Sequence, residues 1–155
     1  MAKKMLVAID ESDYARKIAR YVADCVKPTV EIVLFSVLPT ISSKLERELY
    51  HPLFAEKMGD LRAITAEKKK LLESMMDECR TILMDAGIPE GNIKTRIRDK
   101  KLGIARDIIA EAEAGGYNTV VVGRRGLSAA AGFVLGSISS KIVQNLKNCT
   151  VWVVE

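Results

Sequence analysis

Two periodicities alternate along the chain. Three runs are apolar without interruption: "MLVAI" (5–9), "IVLFSV" (32–37) and "TVVVG" (119–123). A strand covered by helices on both faces reads this way, because both rows of its side chains meet apolar layers. A fourth run, "TVWVV" (150–154), is shorter and equally apolar. A fifth, "NIKTRIRDK" (92–100), alternates. Ile93, Thr95 and Ile97 face one way, and Lys94, Arg96 and Arg98 the other. Alternation with long cations marks a half-exposed edge strand.

Helical spacing fills the gaps. Tyr14, Ile18, Tyr21, Val22 and Cys25 recur on one face of a helix that Ser12 or Asp13 would cap and Pro28 would close. From about Asp60 to Ala86 a long amphipathic helix carries Leu61, Ile64, Leu72, Met75, Cys79, Ile82 and Leu83 on one side, and Gly87 and Pro89 follow it. "GIARDIIAEAEAGG" predicts a helix ending at Gly115, and "SISSKIVQNL" predicts another from Ser137. Residues 39–60 mix charges with Pro52 and Gly59, and read as a loop with a short helix, a variable connection or lid.

Strands therefore alternate with helices, without repeat or linker. This predicts an α/β fold, an open doubly wound parallel sheet of five strands with helices on both faces. The three continuous runs belong in its centre and the alternating run at an edge. The order 3-2-1-4-5 meets both demands and reverses direction between strands one and four. Ligands in such sheets bind at the carboxyl ends of the strands flanking the reversal. Asp10 and Gly123 occupy those two ends.

Composition narrows the function. A chain of 155 residues, 48% hydrophobic, suits one domain over 1–155 with a core of its own. The formal charge of +4 and pI of about 9.0 are mildly basic, and only 5% of residues are aromatic. That is neither a basic footprint nor a stacking platform, so no nucleic-acid partner is expected. No apolar run approaches the roughly 18 residues of a membrane span. "MAKKMLVAID" is not expected to be a signal peptide, because its apolar part is short and runs into Asp10. Cys25, Cys79 and Cys149 are odd in number and far apart, as in a reduced, cytoplasmic protein. With His51 the one histidine, Ser-His catalysis and histidine metal sites are not expected. The run Lys94, Arg96, Arg98, Lys100, Lys101 and Arg106 reads as a solvated edge face, or as a field that steers anions.

Chemistry concentrates between Gly123 and Ser139. Gly123 ends a strand, Gly126 follows after two residues, and Gly136-Ser137 opens a helix after nine more. Glycines let backbone N–H groups converge, and a helix start adds free N–H groups and the positive end of its dipole. Such an arrangement cradles phosphate, with the hydroxyls of Ser137 and Ser139 and the charges of Arg124 and Arg125 as further donors. The spacing is neither a Walker A nor a GxGxxG. The alternative is a small-residue loop that packs Ala129, Ala130 and Ala131 close to the sheet. Asp10 has two compatible readings: a partner for a nucleoside or outer-sphere Mg²⁺, and a cap for the following helix.

These residues resemble the universal stress protein family. The match lies in the G-x2-G-x9-G-S/T pattern (Gly123, Gly126, Gly136, Ser137), in "VAIDESDYA" at the first strand, in "GIARDIIAEAE" and in "CTVWVV". In that family the glycine pattern marks the ATP-binding members. The resemblance implies that Ala8, Ile9, Asp10 and the backbone of Val37 take the adenine and ribose side, and that Val122 and Gly123 wall the nucleoside. Arg125, Gly126, Gly136, Ser137, Ile138 and Ser139 then take the phosphates, several through main-chain N–H groups. Arg125 is either a phosphate partner or a solvated surface residue. Many members carry Asp-Gly-Ser where this chain has Asp10-Glu11-Ser12, and Glu11, in a first helical turn, is expected to face water.

The implied function is a nucleotide-dependent regulatory module of the stress response. It would bind ATP, or ADP or AMP, with Mg²⁺, and present a state for a regulatory protein partner. No general base or phosphate-binding lysine points to rapid phosphoryl transfer. The alternatives are a slow ATPase or phosphotransfer enzyme, and a protein-interaction module with an empty crevice. The resemblance also implies a homodimer paired through strand 150–154, which would otherwise be an open apolar edge.

Overall fold

The computed structural model describes residues 3–40, 47, 52–124 and 135–155. Five strands, β1 (Lys4–Ala8), β2 (Glu31–Leu38), β3 (Ile93–Asp99), β4 (Thr119–Gly123) and β5 (Thr150–Val154), form one sheet in the order β3-β2-β1-β4-β5. Every pairing is parallel. The expected order and edge position of β3 are met. Among the described residues, α1 (Tyr14–Cys25), α2 (Ala55–Asp85), α3 (Ile104–Ala114) and α4 (Ser137–Asn145) connect the strands.

The sheet divides the core into two layers. Val7, Ile9 and Leu34 meet Ile18 and Val22 of α1 and Cys79 and Leu83 of α2 on one face. Leu6, Val33, Phe35 and Val120 meet Ile108 of α3 and Ile142 of α4 on the other. Successive side chains of a strand point to opposite faces, so each continuous apolar run supplies both layers. Burial pushes the Cys79 thiol up to about 11, as befits a packing residue rather than a nucleophile.

Two helix expectations are corrected. On α1 the buried residues are Ala15, Ile18, Ala19 and Val22, while Tyr21 and Cys25 are exposed. The two alanines let the helix lie close to the sheet, and Tyr21 moves to the flank, where its ring meets Trp152 edge-on at 6.2 Å. Asp13 stands at the α1 cap position, as expected, but makes no side-chain cap bond and pairs with Arg16 instead.

The second correction concerns α2. It begins at Ala55, before the expected Asp60, so residues 55–60 of the presumed loop are helical. Its 31 residues span about 46 Å at 1.5 Å per residue, whereas the 8 residues of β2 span only about 26 Å. The amino-terminal half therefore runs past the sheet. Leu61 and Ile64, expected in the core, are exposed, and Met58 is the one buried residue before Leu72. The remaining part of 39–60 expected as a loop or lid lies largely outside the described residues.

Candidate functional site

The chain leaves β1 for β2 and β3 on one side, then crosses to β4 and β5 on the other. The reversal falls between β1 and β4, whose carboxyl ends flank the crevice at which ligands of such sheets bind. Ala8 ends β1 in register with Phe35, and Ile9 N–H donates to the Phe35 carbonyl at 2.8 Å. Two residues farther along each strand stand Asp10 and Val37, so they reach the mouth together. Val37, Ile9 and Val122 are buried, while Asp10 and Gly123 are half-buried at the rim.

Asp10 is held locally. Its Oδ1 accepts the Ser12 N–H at 2.9 Å and the Ser12 hydroxyl. Ser12 is itself buried. This is the turn-forming role expected of an aspartate before a helix. Asp10 Oδ2 has no partner among the described residues. The turn thus fixes one oxygen and leaves the other unpaired among the described residues.

Across the crevice, β4 runs into the glycine segment. Arg124 N–H donates to the Val154 carbonyl and Gly136 N–H to the Arg124 carbonyl, each at 2.8 Å. The two ends of the segment are thereby stitched together beside β4. Arg124 Nη1 pairs with Glu155 Oε1 at 2.8 Å, so its charge faces the chain end rather than the crevice.

Helix α4 starts on this stitch. Gly136 is its N-cap and makes no side-chain cap bond, having no side chain. Ser140 N–H reaches the Gly136 carbonyl at 2.9 Å, but Ser137, Ile138 and Ser139 N–H have no acceptor among the described residues. These are the orphan donors of a helix start, at the positive end of its dipole. The exposed Ser137 side chain is available beside them.

Two donors expected in the cradle are otherwise engaged. The Gly136 N–H is committed to Arg124, as above. The Ser139 hydroxyl, expected to face phosphate, is buried and donates to the Arg124 carbonyl at 3.0 Å and the Gly136 carbonyl at 3.1 Å. Ser139 locks the helix start onto the strand end and offers only its backbone N–H. Arg125 and Gly126 lie outside the described residues.

Glu11 departs from its expected solvent position. Its side chain is 17% exposed and its Oε1 sits 2.8 Å from Lys68 Nζ of α2. Lys68 was not among the expected site residues. It belongs to the run Lys68-Lys69-Lys70, and nothing local distinguishes it from its neighbours.

Elsewhere the anion-steering run is partly committed. Lys94 pairs with Glu31, and Arg96 with Glu111. Tyr117 donates to Glu111 at 3.3 Å, and burial pushes its phenol up to about 12. This side of the sheet is a structural network away from the crevice. No His, Cys, Asp or Glu cluster able to hold a metal occurs among the described residues, and no helix there is long and apolar enough to cross a membrane.

The family model described as the universal stress protein family matches residues 1–155. No curated protein matches the chain by sequence. Solved structures share the fold. Hypothetical protein MJ0577 is 26% identical with a TM-score of 0.67, covering 99% of this chain and 96% of its own. A universal stress protein in complex with cAMP is 17% identical, with a TM-score of 0.65 over 99% of this chain and 97% of its own. An Arabidopsis thaliana family protein with AMP bound is 19% identical, with a TM-score of 0.59 over 98% and 90%.

Proposed function

Since this chain belongs to the universal stress protein family, we propose that it is an adenine-nucleotide-binding regulatory module of the ATP-binding kind. The nucleotide lies across the crevice between β1 and β4. The observation that carries this reading is that the N–H groups of Ser137, Ile138 and Ser139 have no acceptor among the described residues, at a helix start that the Gly136 N–H ties to the Arg124 carbonyl beside the end of β4. Amides at a helix start suit a phosphate. Asp10 Oδ2 takes the nucleoside hydroxyls or an outer-sphere water, with Val37 and Val122 as apolar walls. The family's structures with cAMP and AMP support an adenine nucleotide as the ligand class. Arg125 and Gly126 join the phosphate side in this reading.

Mg²⁺ would accompany a polyphosphate. Among the described residues Asp10 Oδ2 is the carboxylate oxygen at the mouth left for it, and no cage of acidic groups occurs, so the phosphates and water would supply most ligands. Bound, the ion would neutralise phosphate charge. The nucleotide state would be read by a protein partner, in keeping with a role in stress response.

Calorimetric titration of the purified protein with ATP, ADP and AMP tests the reading. We expect saturable binding with a micromolar-class Kd, weakened at least tenfold in Asp10→Ala. Absence of binding by all three, with no adenine nucleotide retained on purification, removes it.

The same premise leads us to propose a homodimer paired through β5. Its outer edge pairs with nothing among the described residues, and Val153 and the nearby α4 residue Val143 are exposed. An apolar open edge invites strand pairing. Sedimentation at micromolar concentration should give a dimer, which Val153→Lys returns to monomer. A wild-type monomer would refute the pairing.

A further inference from the structure

We propose that Lys68 is a specificity-determining residue of the crevice: by neutralising Glu11 it sets how much phosphate charge the site accepts. The inference rests on the adenine-nucleotide reading above and adds the rule by which that site ranks its ligands.

Two carboxylates stand side by side at the mouth, Asp10 and Glu11. The Asp10 partner is a neutral serine. Glu11 is little exposed and its partner is Lys68, itself 32% exposed. Glu11 directly follows Asp10, adjacent Cα atoms being about 3.8 Å apart, so its charge belongs to the same turn that a ligand of Asp10 meets, and charges there are felt over roughly one Debye length, ~8 Å at physiological salt. Partial burial weakens screening further. With Lys68 in place the mouth carries one net negative charge from these groups; without it, two.

The position of Lys68 is as informative as its charge. It projects from the amino-terminal half of α2, where Met58 is the one buried residue before Leu72. This stretch contributes little to the core, yet it delivers an ammonium 2.8 Å from the Glu11 carboxylate. Without Lys68, Glu11 would be a little-exposed carboxylate lacking its counter-charge beside a site that takes an anion, and like-charge juxtaposition disfavours binding. The penalty scales with ligand charge. It is large for ATP, small for AMP and absent for adenosine.

The test compares Kd values for ATP, AMP and adenosine across wild type, Lys68→Met, Glu11→Gln, the double variant and Lys68→Arg, with folding followed by chemical denaturation. Lys68→Met should weaken ATP about tenfold and AMP about threefold, and leave adenosine unchanged, on a surface-pair Coulomb scale. Glu11→Gln added to Lys68→Met should restore ATP, and Lys68→Arg should behave as wild type. Added salt should narrow the ATP difference. An equal loss for all three ligands would make Lys68 a merely structural anchor of α2 and overturn the proposal. So would failure of Glu11→Gln to restore ATP. A wild-type protein that binds none of the three overturns the nucleotide reading, and this one with it.

Discussion

Gly136→Asp should abolish adenine-nucleotide binding while leaving the fold at least as stable. Gly136 has φ −58° and ψ 159°, a backbone region open to any residue. It is the N-cap of α4 and makes no side-chain cap bond. Aspartate is among the best N-cap residues, because its carboxylate accepts the N–H groups of the first turn. Those are the amides assigned to phosphate. The substituted side chain would occupy them from within and place a negative charge at the helix start, where it also favours the dipole by about 0.3–1 kcal/mol.

The two consequences have opposite signs. Thermal stability should stay level or rise slightly. Affinity for ATP should fall at least about 100-fold, equivalent to ~2.7 kcal/mol, through lost donors and like-charge repulsion. Calorimetry and a melting curve on the same preparation read both. Unchanged affinity in a folded variant would mean that phosphate does not sit at this helix start. A lost fold would point instead to crowding by the new side chain where the Gly136 N–H bonds the Arg124 carbonyl, and Gly136→Ala, which adds a Cβ without the carboxylate, separates the two.

Phe35→Ala should produce the largest loss of stability. Phe35 is 1% exposed, in the middle of β2, and heads the fully buried side chains by volume. It packs in the layer formed with Leu6, Val120, Ile108 and Ile142. Removing such a side chain costs about 3–5 kcal/mol through lost transfer energy and the remaining cavity. A domain is typically stable by only about 5–15 kcal/mol, so the variant should be close to its unfolding threshold. The melting temperature should fall by on the order of 10 °C. The Phe35 carbonyl that receives Ile9 is unchanged, so the strand pairing beneath Asp10 survives in the folded fraction. A loss below about 1 kcal/mol in denaturant unfolding would show that α3 and α4 close over the space.

The unevenness of what could be read along the chain has a consistent cause. The central strands were legible because burial on both faces leaves an apolar signature at nearly every position of "MLVAI", "IVLFSV" and "TVVVG". β3 was legible because its alternation carries its half-exposure. Helix faces were legible only in part. Periodicity finds the apolar side of α2, but not that its support ends near Leu72, which leaves Leu61 and Ile64 in solvent. On α1 it favoured the large Tyr21 and Cys25 over Ala15 and Ala19, although close packing against a sheet selects small residues.

The same division runs through the site. The local pattern was sufficient for a β-α alternation, for the strand order, and for the glycine-bounded helix start at Ser137, since each follows from spacing and burial within a short window. Contacts between distant segments were left to the folded chain. They include the Gly136 N–H and Ser139 hydroxyl turned onto Arg124, and Glu11 paired with Lys68, 57 residues away. A hydrogen bond or ion pair depends on ångström-scale distances between elements. Periodicity along one element carries no information about them.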